Sequence, residues 1–237
     1  GYCGPRVGNA LLEYGAAGVT DPGLTQHVEL FPGVWPNLNL IASSAHIVDP
    51  LDSRVVEAFW VGNELLERVD TTSMGNAIED RFRYRTGQNF SHIADGVVAG
   101  GVPHHNFSVF VASPWGSLLG QDRKTELAVS QLDRCRIRWG QVVSVSGDEA
   151  VVRFRPLIWD GAALVLDEPQ VETAQFALSG TAFLPDLAAG DVVSLHWDWV
   201  CDRLTPNQLR MLQHYTAKHL KIANAGLATA GSPLPRG

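Results

Sequence analysis

Residues 135–152, CRIRWGQVVSVSGDEAVV, mark the point where the sequence changes from a helical pattern to a strand pattern. From here on, short runs of β-branched and aromatic residues alternate with turn sequences such as SGDE and LAAGD. Five such runs at close spacing favour a small antiparallel β-barrel. The last run lies in AGDVVSLHWDWVCDRLTPNQ, residues 189–208, which passes from a strand into the start of a helix. The second half is therefore predicted to be a barrel followed by a helix.

The start of this C-terminal helix is well marked. Thr205 can act as the N-cap, Pro206 takes the first helical position, and Gln208 completes a capping box. Leu204 and Leu209 have the spacing of a hydrophobic staple across the helix start. These signals predict a helix that begins at residue 206.

The first half has the periodicity of helices. Residues 52–69 carry apolar side chains at three- and four-residue spacings, which is typical of an amphipathic helix. Shorter helices are predicted at about 7–17, 35–47 and 73–84, between breaks that contain Gly and Pro. The β-branched and aromatic run 107–112 is predicted to be a strand.

These patterns predict an α+β protein with two domains. A mainly helical domain is expected over residues 1–125, and the barrel with its helix over residues 133–222. The polar stretch at about 120–133 is interpreted as the boundary between them. Residues 223–237 are rich in small residues and proline and lack an apolar face, which predicts a disordered tail.

Composition excludes several classes of function. The 237 residues carry a formal net charge of −7, which argues against binding nucleic acid through its phosphates. Neither a membrane-spanning run nor a signal-peptide pattern is visible, and three scattered cysteines do not suggest disulfides, so we expect a cytoplasmic protein without membrane partners. No nucleotide-binding loop and no hydrolase elbow occurs, so neither a nucleotide cofactor nor catalytic residues are expected.

Two residues at opposite ends of the strand-rich segment are candidate metal ligands. Cys135 offers a soft thiolate and His196 a borderline imidazole, a combination that suits transition metals. The alternative is that both are structural, because cysteine is among the most buried residue types and strand histidines often lie in the core. Cys201 lies five residues beyond His196 on the same predicted strand, so it should face the other side and serve in packing.

A second candidate metal cluster combines Cys3 with the adjacent pair His104 and His105, in the helical half. Neighbouring residues of an extended chain diverge, so at most one of the two histidines is expected to face a given site. Ordinary loop and core-edge positions are the competing interpretation of these histidines.

The barrel segment resembles the HypC/HupF chaperones of NiFe-hydrogenase maturation. Cys135 is followed by Trp139-Gly140, a hairpin over 141–152, a strand over 187–196 that ends in histidine, and the capped helix, in the order of that family. The resemblance covers about residues 133–220 and implies an OB-like, HypC-like five-stranded barrel. The whole chain also resembles an uncharacterised bacterial family associated with hydrogenase genes.

The resemblance implies an accessory protein, not an enzyme, that carries the Fe(CN)₂CO unit or helps insert it. Cys135 would be the principal iron ligand and His196 its companion, while the hydrogenase large-subunit precursor or other maturation proteins would be the partners. In the family the cysteine lies next to the chain start, whereas Cys135 is internal. Two other functions stay open: a protein-interaction module without metal cargo, and a metal-dependent enzyme that uses Cys3 with His104 or His105.

Overall fold

Helices occupy the first part of the chain and strands the second in the computed structural model, which describes residues 10–82 and 89–230. This arrangement confirms the α+β class and the C-terminal helix. The helices of the first part are α1 (Ala10–Ala17), α2 (Pro22–Glu29), α3 (Trp35–Ala45), α4 (Ser53–Trp60), α5 (Thr71–Phe82), α6 (Asn89–Val98) and α7 (His105–Phe107). Two 3₁₀ turns, Glu64–Arg68 and Pro114–Leu118, and a π-helical segment, Ser108–Ala112, complete this part.

The helix predicted over 52–69 is interrupted at Gly62. Its first part is α4, where Asp52 accepts a hydrogen bond from the backbone N–H of Arg54 at 3.0 Å. Gly62 has a φ of 99°, which other residues rarely adopt, and a β-carbon there would lie 2.2 Å from the ring of Tyr215. The chain therefore leaves the helix at a point where the C-terminal helix must pass close to it.

The predicted strand at 107–112 is wrong, because these residues are helical. Val109, Phe110 and Val111 are all buried, so the run shows no alternation between a buried and an exposed face. A short apolar run that is buried on every side has the same sequence pattern in a helix and in a strand.

The stretch predicted to separate the domains forms most of helix α8, Arg123–Cys135. Ala128 and Leu132 on this helix have no exposed surface, and Leu132 packs in the largest hydrophobic cluster. The stretch is therefore part of the packed structure. Cys135 ends this helix, and the first strand begins three residues later.

Five strands form a closed barrel, with four antiparallel pairings and one parallel pairing. The parallel contact, between Gln175 and Trp199, departs from the predicted all-antiparallel arrangement. In ring order the strands are β1 (Arg138–Ser146), β2 (Glu149–Phe154), β5 (Gln170–Gln175), β9 (Trp199–Arg203) and β8 (Val192–His196). Two small hairpins, β3 (Leu157–Trp159) with β4 (Leu164–Leu166) and β6 (Ala177–Leu178) with β7 (Thr181–Ala182), interrupt the barrel.

The hydrophobic core extends across both predicted domains. Leu157 and Leu164 of the β3–β4 hairpin belong to the same buried cluster as Leu38 and Phe59 of the helical part. A separate cluster fills the barrel interior, with Val152, Val193 and Leu195 among its members. The barrel thus has its own core, but the hairpin inserted into it packs on the helices.

The C-terminal helix α9, Pro206–Ala230, starts as predicted. The backbone N–H of Gln208 donates to the hydroxyl of Thr205, and the N–H of Thr205 donates to the side-chain oxygen of Gln208. The helix continues through residues 223–230, where a disordered tail was expected, while residues 231–237 lie outside the described part. Within the described ranges no helix, α9 included, has the length and apolarity that crossing a membrane requires.

Asp133 joins α8 to the strand-rich half. One of its carboxylate oxygens accepts hydrogen bonds from the Arg136 side chain and from the backbone N–H of Leu157, each at 2.9 Å. The side chains of Asp133 and Arg136 are both buried. Burial lowers the pKa of Arg136 because a charged guanidinium is less stable away from water. The ion pair therefore compensates a charge that the core would otherwise not tolerate.

We expect Asp133→Ala to lower the free energy of unfolding by about 3–5 kcal/mol, because it leaves a buried guanidinium without its counter-charge. Urea denaturation followed by circular dichroism measures this loss. Asp198→Ala is the control, since it breaks a pair with Arg134 that is exposed to solvent and should cost less than about 1 kcal/mol. Equal losses in the two variants would contradict this account of the buried pair.

Candidate metal centre

Three metal-binding side chains meet at the junction of the helical part and the barrel. Cys135 from the end of α8, His196 from the end of β8 and His105 from the start of α7 place their ligand atoms within 4.8 Å of one another. The Sγ atom of Cys135 lies 4.0 Å from Nε2 of His105, and the two imidazole rings are perpendicular with centroids 5.1 Å apart. One thiolate and two imidazoles are ligands that zinc, iron and copper bind well.

The buried amide of Asn106 places Cys135 next to His105. Its Oδ1 atom accepts from the backbone N–H of Ile137 at 2.7 Å, and its Nδ2 atom donates to the carbonyl of the same residue at 3.2 Å. Nδ2 also donates to the hydroxyl of Thr216 on α9 at 2.9 Å. A single side chain thus ties α7 to the segment after Cys135 and to the last helix.

The turn after His196 is fixed to the end of α8. The backbone N–H of Trp197 donates to the carbonyl of Arg134 at 2.7 Å, and the Arg138 guanidinium donates to the carbonyl of Trp197. Trp197 has a φ of 55°, in the left-handed region that residues with a β-carbon rarely adopt. Strained backbone of this kind often occurs at functional sites, because the surrounding contacts must hold it in place.

Aromatic side chains cover one side of the cluster. The indole of Trp60 contacts the rings of His105 and His196, with centroid distances of 4.6 and 5.5 Å, and Phe59 packs on the edge of His105. His105 is 6% exposed, whereas Cys135 and His196 are half-buried. The open side of the cluster is therefore the one formed by Cys135 and His196.

His105 is held as a neutral imidazole. Burial, with His196 beside it, lowers the pKa of His105 well below its usual range. Its Nε2–H donates to the backbone carbonyl of Cys135 at 2.8 Å, so this nitrogen points toward the cysteine. A neutral imidazole is the form that binds metals. The carboxyl end of α8 adds partial negative charge, which favours a bound cation.

The structure directs His104 away from this cluster. His104 faces α9, where its ring stacks on Tyr215 and lies 5.4 Å from the ring of His219. The two adjacent histidines therefore face different surroundings, and Cys3 lies outside the described residues. Burial raises the pKa of the Cys201 thiol to about 12, which keeps it protonated at neutral pH, in keeping with a packing role.

The sequence paired Cys135 with His196 but assigned His105 to the other cluster. The run His104-His105-Asn106 held one usable signal, because adjacent histidines must point in different directions. Which histidine would face Cys135 depends on the Asn106 hydrogen bonds, which join residues about thirty positions apart in the chain. No local pattern reports such a contact.

The fold and the cluster define an α+β protein with a candidate Cys-His-His metal centre. The chain belongs to the DUF6390 family, a family of unknown function whose model matches residues 1–230. No curated protein and no solved structure matches it. The family assigns no activity, so the function must be inferred from the chemistry of the site.

The buried histidines near α9 give the protein a distinct acid sensitivity. Neither ring nitrogen of His219 has a hydrogen-bond partner among the described residues, and burial lowers its pKa well below the usual range. Burial likewise lowers the pKa of His104 to about 4. Below about pH 6.5 the unfolded chain binds protons at these side chains, whereas in the folded chain they take up protons only at lower pH. The free energy of unfolding therefore falls as the pH drops below that value.

We expect His219→Leu to make the loss of stability between pH 6.5 and pH 5 smaller by about 2 kcal/mol, at about 1.4 kcal/mol per pH unit for one proton. Urea denaturation at several pH values measures this difference. His214→Leu, at an exposed position of the same helix, should keep the wild-type dependence. A wild-type pH profile in the His219 variant would show that this side chain is protonated in the folded protein.

Proposed function

We propose that this protein is a cytoplasmic accessory factor of NiFe-hydrogenase maturation. In this proposal Cys135 and His196 hold the Fe(CN)₂CO unit as cargo until it enters the large-subunit precursor. The observation that carries the proposal is the convergence of these two side chains within 4.8 Å, from opposite ends of a 62-residue segment. No catalytic step is required of the protein.

The topology of the barrel supports an OB-like, HypC-like assignment. When only the barrel strands are numbered along the chain, β1, β2, β5, β8 and β9 become strands one to five, and their ring order is 1-2-3-5-4. This is a Greek-key order, as in the five-stranded barrels of the OB type, and it accounts for the parallel contact between the third and fifth strands. The capped helix α9 follows the fifth strand, which is the order of elements in the HypC/HupF chaperones.

The donor atoms suit the proposed cargo. A thiolate is a good ligand for the low-spin iron(II) that cyanide and carbon monoxide favour, and an imidazole completes the grip without adding negative charge. Cys135 and His196 are half-buried, so a bulky iron unit could enter from the open side of the cluster. Few protein ligands also favour release to a partner, as a carrier requires.

The helical part would provide the docking surface for the partner, either the large-subunit precursor or another maturation protein. The helical part packs directly against the cluster, because His105 and Trp60 are both residues of the helical part. A partner bound there would lie close to the cargo. We also propose that the protein is encoded near hydrogenase genes, together with these partners.

We expect Cys135→Ser to abolish cargo binding, because a hydroxyl is a much poorer ligand than a thiolate for low-spin iron. Protein isolated together with its maturation partners, from cells that make a NiFe-hydrogenase, should show infrared bands of bound cyanide and carbon monoxide. The serine variant should lose these bands, and hydrogenase activity in its cells should fall by at least about tenfold. Cys201→Ser, which alters the other cysteine among the described residues, should keep both.

Two other results point to the rival functions. Normal bands and normal maturation in the Cys135→Ser variant would refute Cys135 as the ligand that carries the iron unit. Normal maturation in that variant, together with a loss of maturation when the whole gene is deleted, would favour an interaction module without metal cargo. A wild-type protein that lacks the bands but loses a bound metal when His104 or His105 is replaced would favour the metal-dependent enzyme.

A further inference from the structure

His105 stands apart from the two ligands that the proposed function uses. It belongs to the helical part, at the start of α7, whereas Cys135 and His196 bound the strand-rich segment. Its imidazole is almost fully buried between Phe59, Trp60 and His196, yet one ring nitrogen is directed at Cys135. A histidine placed in this way requires an explanation beyond packing.

The distances within the cluster are close to those of a metal centre. Metal–nitrogen bonds of about 2.0 Å and metal–sulfur bonds of about 2.3 Å place tetrahedral ligand atoms about 3.3–3.6 Å apart. The three ligand atoms lie within 4.8 Å of one another, and the pair Sγ and Nε2 of His105 is 4.0 Å apart. Closure of these separations by up to about 1.5 Å brings all three onto one ion. Half-buried side chains such as Cys135 and His196 can make that adjustment through rotamer changes.

The contact between His105 and Cys135 directs the imidazole toward the other two ligands. Nε2–H of His105 donates to the carbonyl of Cys135 at 2.8 Å, which gives this buried nitrogen a partner. When a metal binds, Nε2 contributes its lone pair, the ring hydrogen moves to Nδ1, and the Cys135 thiol releases its proton to solvent. The net change is the loss of one proton from the protein, as metal binding by one thiol requires.

We propose that His105, Cys135 and His196 together form a three-ligand centre for a divalent transition-metal cation, with the fourth position open toward solvent. The helical part then supplies one ligand, and the chain completes the centre without a partner protein. This inference rests on the proposed function for two of the ligands, the Cys135 thiolate and the His196 imidazole. It adds His105 as the third ligand. Three protein ligands with an exchangeable fourth position are typical of centres that act on a bound molecule.

Titration of the purified full chain with Co²⁺ under anaerobic conditions tests this centre without any hydrogenase component. The wild-type protein should give visible absorption of tetrahedral strength and a thiolate-to-cobalt band in the near ultraviolet. His105→Gln should weaken Co²⁺ binding by at least about tenfold, while its amide can still donate to the Cys135 carbonyl. His214→Gln, at an exposed site, should bind as the wild type does.

A rescue variant separates ligation from structural support. His105→Cys replaces one metal ligand by another, so it should restore binding relative to His105→Gln and strengthen the thiolate band. Unchanged affinity and spectrum in His105→Gln would overturn the inference, and so would a wild-type protein without tetrahedral cobalt. If cobalt binding depends on His105 but infrared bands never occur in cells, the three-ligand centre stands and the hydrogenase role fails. If the infrared bands occur in cells and the His105→Gln variant keeps both the bands and its cobalt binding, the hydrogenase role stands and the three-ligand centre fails.

Discussion

The arrangement of the whole molecule depends on one buried side-chain amide. Asn106 has no exposed surface, and it pairs with both the N–H and the carbonyl of Ile137 in the way that a neighbouring strand would. Its third hydrogen bond reaches Thr216 on α9. Buried polar groups are costly unless they are paired, so this position accepts almost no other residue. Through it, the helical part, the barrel entry and the last helix share one fixed point.

The candidate metal centre follows from that fixed point. Asn106 is next to His105 in the chain, and Ile137 lies two residues after Cys135. The hydrogen bonds between Asn106 and Ile137 therefore bring the histidine to the cysteine. Arg134 and Arg138 hold the turn that follows His196 against the same region. The centre thus lies between the helical part and the barrel, and the contacts that join these two parts set the spacing of its ligands.

Some of these features could be predicted from the sequence because their signals are local. The capping box at Thr205 and Gln208 and the hairpin over 141–152 depend on residues a few positions apart, and both form as expected. The run 107–112 could not be assigned correctly, because burial on every side removes the periodicity that distinguishes helix from strand. The polar stretch 120–133 has the composition of a linker because α8, which it largely forms, buries only one narrow face and carries many charged residues.

By itself the sequence determined the α+β class, the barrel hairpin, the start of the last helix and the chemical pairing of Cys135 with His196. Each of these depends on short-range periodicity, turn chemistry or the donor properties of single residues. Only the tertiary structure decided that His105 belongs with that pair and that His104 turns toward α9. The physical reason is that these placements result from buried hydrogen bonds and core packing between distant segments. Such contacts leave no mark on the residues near them in the chain.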